Sequence, residues 1–261
     1  MPLAGVICPA DGQHHTIESC LSCHRNGGPR RCDAPEALLY AMSKESERRQ
    51  NVGVSATTLL QCARAVALKE QFPYYEAIDS AWNKFRGTLA HLMFESGSPE
   101  RPGLIREKRV EHHVIVDGVD IQLTGQVDEV DTNRSLIVDY KSTHLVPKKL
   151  KEGHTEQVNI YIWLLANGRW QEYPVWELSG QPCNINITKA GIHYISFKSL
   201  DQSKKAVDVW PLWRTEDLVM NRLQPIADYK RTGIIPDCNI YHRYGKQPCD
   251  CEKIEKQLGL L

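Results

Sequence analysis

Two alternating apolar stretches joined by a short polar turn constrain the fold of this chain more than any other feature. The first stretch runs from Val119 to Val130, and the second runs from Leu136 to Lys141. Their alternation and β-branched residues predict two strands of a hairpin. A two-residue turn at Asn133-Arg134 then sets Asp128 directly opposite Asp139, with side-chain roots about 5 Å apart.

This hairpin brings two carboxylates and a lysine together. Like charges this close on a buried face repel each other, and a shared cation is the usual remedy. Because strand side chains alternate, Lys141 lies on the same face as Asp139. The trio could hold a divalent metal and promote attack on a phosphodiester. The alternative is a hairpin of solvated acids. The same spacing recurs at Asp228-Tyr229-Lys230, where helical apolar spacing indicates a helix surface.

Helical patterns flank the hairpin on both sides. Residues 155–167 follow it, with Thr155 as a predicted N-cap and Asn167-Gly168 as the stop. Gln157 and Tyr161 are four residues apart and therefore share one helix face. Upstream, Gly87 lies inside a helical pattern from about 77 to 95, where a glycine costs about 1 kcal/mol and indicates close packing.

Taken in order, these elements resemble the RecB-like branch of the PD-(D/E)XK nuclease superfamily. The matching elements are Gly87-Thr88-x-x-His91, Gly125-x-x-Asp128, Asp139-x-Lys141 and Gln157-x-x-x-Tyr161. That branch includes the nuclease domains of bacterial recombination helicases and CRISPR-associated exonucleases. The resemblance covers about residues 55 to 251. It implies an α/β, restriction-endonuclease-like core, with a central mixed sheet flanked by helices.

The resemblance also implies roles for individual residues. His91, Asp128 and Asp139, with the carbonyl of Tyr140, would bind one or two Mg²⁺ or Mn²⁺ ions. Lys141 would position water or stabilise the transition state. The pair on the following helix, Gln157 and Tyr161, resembles the family's motif that orients the lysine and the DNA backbone. Taken alone, His91 would be better explained as a structural histidine, but the motif around it favours a metal ligand.

Nine cysteines are the second informative feature. No apolar signal segment opens the chain, and no run of about 18 apolar residues could span a bilayer. We therefore expect a cytoplasmic protein with no membrane partner. In a reducing compartment, cysteine clusters are more often metal sites than disulfides.

The first cysteine group lies in a segment with little apolar content, residues 1–35, which we expect to need a metal to fold. Its spacing, C-x11-C-x2-C-x8-C, predicts a small zinc-binding segment whose ligands are Cys8, Cys20, Cys23 and Cys32. His14, His15 or His24 could replace one ligand. A disordered N-terminal tail is the alternative.

The second group is Cys62, Cys238, Cys249 and Cys251, which leaves Cys183 unassigned. Several nucleases of the resembled branch hold an iron–sulfur cluster, such as 4Fe–4S, with one cysteine ahead of the motif histidine and three near the C-terminus. The spacing Cys238-x10-Cys249-x-Cys251 departs from the C-x2-C-x5-C pattern of that branch, so zinc remains open.

Two domains are expected: the zinc segment at 1–35 and a nuclease domain at 36–261 that ends in the cysteine cluster. The predicted helices are 36–50, 55–70, 77–95, 155–167 and 213–231, and the predicted strands are 108–117, 119–130, 135–141 and 192–197. Formal net charge is zero, which argues against a general polyanion binder. Basic residues cluster locally, above all at Lys148, Lys149 and Lys151, as phosphate contacts or merely as solvated lysines.

We therefore expect a metal-dependent DNA exonuclease that acts on single strands or ends, in recombination, DNA repair, phage DNA processing or CRISPR adaptation. The preference for single strands and ends comes from the resemblance alone. One alternative is an inactive, zinc-stapled nucleic-acid-binding scaffold, although both acids and the lysine are present. Another is a site-specific endonuclease, which shares the same core chemistry.

Overall fold

The computed structural model describes residues 3–26, 36–48, 53–96, 101–172, 177–196, 198–199, 201–238 and 249–260. The chain divides into two compact units. Residues 1–52, 62–88 and 234–261 form the first, and residues 53–61 and 89–233 form the second. This division does not follow the expected boundary at residue 35. None of the described helices is both long and apolar enough to cross a bilayer.

Helices and strands are mixed along the described chain. The helices are α1 (Ile17–Arg25), α2 (Glu36–Arg48), α3 (Ala56–Leu59), α4 (Ala63–Gln71), α5 (Ile78–Ser96), α6 (Glu152–Asn167), α7 (Leu212–Thr232) and α8 (Asp250–Leu258). The strands are β1 (Leu3–Ile7), β2 (His14–His15), β3 (Val54–Ser55), β4 (Tyr74–Ala77), β5 (Leu104–Val116), β6 (Val119–Asp131), β7 (Leu136–Thr143), β8 (Arg169–Trp170), β9 (Lys189–Ser196) and β10 (Gln202–Val207).

The first unit contains a three-stranded sheet of order β2-β1-β4. Val6, Ile17 and Cys20 are buried in a cluster that also contains Leu38 and Leu39 of α2. The N-terminal segment therefore has a hydrophobic core that it shares with α2. Several of its apolar residues pack in this cluster, and the expectation that the segment needs a metal to fold stays a prediction.

The second unit is built on a seven-stranded mixed sheet of order β10-β9-β7-β6-β5-β8, with β3 paired to β6. β7 and β9 run parallel, and the chain between them forms α6, as parallel neighbours require. α6 and α7 contact the sheet, and α6 is buried from Gln157 to Leu165. This confirms the α/β, restriction-endonuclease-like fold class.

The hairpin of β6 and β7 has the expected register, since Glu129 pairs with Val138 and Asp131 pairs with Leu136. Its connection is longer than the predicted two-residue turn and spans residues 132–135, because Ser135 adopts a positive φ of 49°. The ladder to β7 covers only residues 129–131 of β6, while β3 pairs with residues 123 and 124 along the same strand.

Several predicted boundaries differ from the structure. The helix expected at 55–70 is two helices, because Cys62 is extended (φ −62°, ψ 125°) and starts α4. α6 begins a turn before Thr155, and its N-cap is Lys151. β5 begins at Leu104 rather than 108, and β9 begins at Lys189 rather than 192. The predicted end of β9 at Phe197 lies outside the described residues.

Candidate active site

Three carboxylates lie in one row across adjacent strands of the mixed sheet. Arg106 and Lys108 of β5 pair with Glu129 and Val127 of β6, so the register places Glu107 across from Asp128. Continued by one residue, the register between β6 and β7 places Asp128 across from Asp139. Neighbouring side chains in such a row have roots about 5 Å apart.

His91, on α5, lies against two of these acids. Its Nδ1 is 3.0 Å from Oε1 of Glu107 and 3.4 Å from Oδ1 of Asp128. The hydrogen bond with Glu107, and then the charge of Asp128, raise the pKa of His91 despite its partial burial. One possible ligand atom from each of these three residues lies within 4.8 Å of the other two, close enough for all three to reach one cation.

The two aspartates are buried, and burial opposes their charge. Burial, followed by the charge of Asp139, raises the pKa of Asp128 from an ordinary 3.8 to about 7. Burial also raises the pKa of Asp139, although Lys141 opposes the shift. Carboxylates crowded in this way have too little positive charge near them to stay ionised easily. A divalent cation would supply it.

Lys141 forms an ion pair with Asp139 and lies close to both of its carboxylate oxygens. Its Nζ donates to Oδ1 over 3.0 Å and lies 2.9 Å from Oδ2. Oδ2 nevertheless accepts no well-directed hydrogen bond from any described residue, although it is buried. A buried carboxylate oxygen without a hydrogen bond is costly, and coordination to a metal would remove that cost.

The side chain of Tyr140 lies on the face of β7 opposite to Asp139 and Lys141, as the alternation of strand side chains predicts. Its backbone N–H donates to Oδ2 of Asp128 over 2.7 Å, which holds that carboxylate where the backbone ladder has ended. Its side chain faces away and donates to Glu129 over 3.3 Å. Burial and Glu129 raise the pKa of Tyr140 to about 12, so the phenol stays protonated. Metal binding by its carbonyl remains a prediction.

Gln157 and Tyr161 form a hydrogen-bonded chain on α6. The Gln157 amide donates to the Tyr161 hydroxyl over 2.7 Å and to the Thr57 hydroxyl over 3.1 Å. A Cβ on Gly125 would lie 2.8 Å from Cδ1 of Tyr161, which is closer than atoms can approach. Gly125 therefore lets α6 pack directly on β6 beside the acids, and this explains its place in the sequence pattern.

The sequence reasoning missed Glu107, although a signal for it was present. Asp117-Gly118 joins β5 to β6, and both residues have positive φ, 47° and 79°, as a tight two-residue hairpin turn requires. Such a turn pairs Val116 with Val119 and carries that register back to Glu107. Glu107 itself has a φ of 49°, an uncommon conformation that often marks functional sites.

His154 and Tyr194 were also missed. Tyr194 pairs with Lys141 across β9 and β7, so the two side chains share a face. The Tyr194 hydroxyl lies 2.7 Å from Nδ1 of His154, which is one turn before Gln157 on α6. Burial, and then Lys141 and Lys151, lower the pKa of His154 to about 4. A neutral imidazole therefore flanks the lysine.

The Asp-x-Lys copy at Asp228 lies on α7, as expected. Asp228 is bound by Arg231, whose Nη2 is 2.6 Å away, and it accepts hydrogen bonds from Gln224. No described histidine or second acid forms a metal-ligating group with it. Asp228 and Lys230 therefore provide matched controls for Asp128 and Lys141.

The four cysteines of the second group meet within the first unit. One sulfur from each lies within 4.8 Å of the others, with Cys62 3.6 Å and Cys251 3.1 Å from Cys238. Cys62 is the N-cap of α4 and Cys249 is the N-cap of α8. Helix N-termini favour thiolates.

Hydrogen bonds tie the two helices of this cysteine cluster together. Arg64 of α4 donates to Glu255 of α8 over 2.7 Å and to the Pro236 carbonyl over 3.1 Å. Burial, then hydrogen bonds with neighbouring thiols, raise the pKa of Cys251. Although burial raises the pKa of Cys249, hydrogen bonds from Cys251 and the other thiols lower it overall. Binding of a metal cation would favour the deprotonated thiolates and release the remaining thiol protons.

The first cysteine group can be followed only in part. Cys8, Cys20 and Cys23 are described and form no disulfide, whereas Cys32 lies outside the described residues. A zinc on these four cysteines therefore remains a prediction. Cys183, of the second unit, is buried, and burial raises its pKa to about 12, as expected of an unreactive core thiol.

Comparison with known proteins identifies the nuclease core. A model of the PD-(D/E)XK nuclease superfamily matches residues 35–233, which include every residue of the candidate active site. The crystal structure of SSO0001 is similar over 72% of this chain and 84% of that one, with a TM-score of 0.49 and 17% identity. No curated protein sequence matches this chain.

Proposed function

Because the chain belongs to the PD-(D/E)XK nuclease superfamily, we propose that it is a divalent-metal-dependent DNA exonuclease acting on single strands or DNA ends. The observation that carries this proposal is the row Glu107, Asp128 and Asp139, with His91 against it and Lys141 beside it. An inactive scaffold would gain nothing from burying two aspartates whose pKa is raised by that burial.

The residues present suit Mg²⁺ or Mn²⁺, which prefer oxygen ligands and accept imidazole. His91, Glu107, Asp128 and Asp139 would hold the ion, with the carbonyl of Tyr140 completing the set. The bound cation would lower the pKa of a coordinated water and neutralise charge on the scissile phosphate. Oδ2 of Asp139 accepts no well-directed hydrogen bond, so it has lone pairs available for the ion.

The other side chains prepare the substrate. Lys141, held by Asp139, would place its ammonium against the phosphate as a bond forms to the water oxygen and the bond to the leaving oxygen breaks. Gln157 and Tyr161 keep that face of α6 fixed. Preorganised donors of this kind are effective because they need no reorganisation during the reaction.

The segment after β7 is the candidate contact for the DNA backbone. Lys148, Lys149 and Lys151 are exposed there, and each lysine on a phosphate would release counterions. Solvated lysines remain the alternative. Loss of salt dependence on their replacement by alanine would distinguish the two roles.

The Cys62, Cys238, Cys249 and Cys251 cluster would hold a structural metal. Tetrahedral zinc thiolates, with Zn–S bonds of about 2.3 Å, separate their sulfurs by about 3.8 Å. The observed contacts of 3.1 and 3.6 Å suit a single ion of this size better than a cluster with sulfides of its own. Visible absorbance and metal analysis of anaerobically purified protein would decide, since an iron–sulfur cluster is coloured.

Activity on matched DNA substrates tests the nuclease proposal. Labelled single-stranded, double-stranded and circular single-stranded DNA would be incubated with Mn²⁺ and wild-type, Lys141→Ala or Lys230→Ala protein. We expect wild type and Lys230→Ala to degrade linear single strands, with circles intact and no cleavage by Lys141→Ala or in EDTA. Absence of chelator-sensitive, lysine-dependent cleavage would refute the enzyme, and cleavage of circles would indicate an endonuclease.

A further inference from the structure

A second group of metal-ligand side chains lies in the turn between β1 and β2, in the first unit. One possible ligand atom from each of Cys8, Asp11 and His15 lies within 4.8 Å of the other two. Cys8 is 6% exposed, and Asp11 and His15 are half-buried. A thiol, a carboxylate and an imidazole therefore converge within eight residues of sequence.

The turn is held in shape by its own backbone. Cys8 N–H donates to the Gln13 carbonyl over 2.9 Å, and Gly12 N–H donates to the Cys8 carbonyl over 2.8 Å. Gly12 has a φ of 70°, which glycine adopts without strain. β2 pairs with β1 through Val6 and His15, so the sheet holds the backbone of His15.

The side chains are also oriented toward one another. Asp11 accepts the Gln13 N–H over 2.9 Å, and its Oδ2 lies 3.1 Å from Nε2 of His15. An aspartate–histidine ion pair would account for those two residues alone. It gives no reason for a buried thiol to lie beside them, because a neutral thiol adds little to such a pair.

We propose that Cys8, Asp11 and His15 bind one zinc ion. Zinc takes thiolate, imidazole and carboxylate ligands together, whereas Mg²⁺ and Ca²⁺ prefer oxygen alone. The fourth tetrahedral position is left to water or to a ligand that the turn does not supply. The ion would fasten the turn to the sheet of the first unit, independently of the nuclease reaction.

This ligand set differs from the four cysteines that the sequence spacing predicts. Among the described residues, neither Cys20 nor Cys23 belongs to the group around Cys8. Cys20 instead packs in the hydrophobic cluster with Val6 and Ile17. The spacing of the cysteines alone could not reveal this, because the carboxylate and imidazole come from the turn between the strands.

Metal analysis of the full-length chain tests the proposal. Zinc per chain would be measured for wild type and for Cys8→Ser, Asp11→Asn and His15→Gln, with His14→Gln and Cys23→Ser as controls. His14 is exposed and stacks on Tyr75, with ring centroids 4.3 Å apart, so its loss should leave the site intact. We expect each ligand variant to hold about one zinc fewer than wild type and both controls to match wild type.

Cobalt substitution separates ligand loss from misfolding. His15→Gln protein that retains wild-type circular dichroism should lose part of the visible cobalt absorption, because one tetrahedral site is gone. Wild-type zinc content in both Asp11→Asn and His15→Gln would overturn the proposal. Loss of zinc in Cys23→Ser with full retention in His15→Gln would also overturn it, in favour of the four-cysteine site.

Discussion

Replacing Asp128 with asparagine should make the metal-free protein more stable. The asparagine amide would retain an oxygen to accept the Tyr140 N–H, which Asp128 now accepts over 2.7 Å, while the replacement removes a buried charge. The buried carboxylate has a pKa of about 7 in the fold against an ordinary 3.8. A difference of about 3 units corresponds to about 4 kcal/mol of lost folding free energy.

The sign of the pH dependence follows from the raised pKa. Below about pH 4, Asp128 is protonated in both the folded and unfolded states and costs nothing. Between about pH 4 and pH 7 the unfolded state ionises first, so the wild-type protein loses stability as pH rises. Above about pH 7 the full cost is present. The advantage of Asp128→Asn should therefore be large at pH 8 and small at pH 4.

Thermal unfolding in buffer without Mg²⁺ or Mn²⁺ measures this effect. For a chain of this size, about 4 kcal/mol corresponds to a rise of about 10 °C in Tm. Asp228→Asn is the matched control, and its Tm should be slightly lower than that of wild type, because the replacement weakens the ion pair with Arg231. Added Mn²⁺ should raise the Tm of wild type and of Asp228→Asn more than that of Asp128→Asn. An Asp128→Asn protein no more stable than wild type at pH 8 would refute the reasoning.

Three further predictions concern packing, positioning and the cysteine cluster. Gly125→Ala should lower the free energy of unfolding by about 1–3 kcal/mol and lower activity, because the added methyl group meets Tyr161. Gly153→Ala is the control and should not destabilise α6, because its added Cβ would have no neighbouring side chain or distant backbone atom within 4 Å. Chemical denaturation measures both variants. Tyr194→Phe should lower kcat about fivefold with KM unchanged, because it loses the hydrogen bond to His154. A fall in kcat that equals the fall in the folded fraction of the protein would contradict that role. Cys251→Ser should have a lower metal content and a lower Tm than wild type, whereas Cys183→Ser should keep its metal. Metal analysis and thermal unfolding measure these effects.

The sequence predicted the two aspartates of the candidate site, but it did not predict every residue of that site. Asp128 and Asp139 were placed opposite each other because strand side chains alternate with a fixed period. Glu107 was missed because the predicted strand begins at residue 108, whereas β5 begins at Leu104. Its positive φ has no sequence signal in a non-glycine residue.

Contacts between distant segments account for most of the rest. Nothing local links Thr57 to Gln157, one hundred residues away, yet their side chains lie 3.1 Å apart. Likewise, the pairing of β3 with β6 involves two residues, too few to show a strand pattern. The grouping of Cys62 with the three C-terminal cysteines was anticipated through family resemblance, because spacing cannot specify which distant thiols meet.

The Asp117-Gly118 turn gives the site an unusual sensitivity to chain length. Glu107 lies ten residues before this turn, about 33 Å along an extended strand, yet the turn determines which acid faces Asp128. A single-residue insertion between Glu107 and Asp128 would invert one strand's side chains relative to the other. In evolution, such an insertion would be equivalent to deleting a carboxylate, whereas most substitutions along the same strands would leave the row of acids intact.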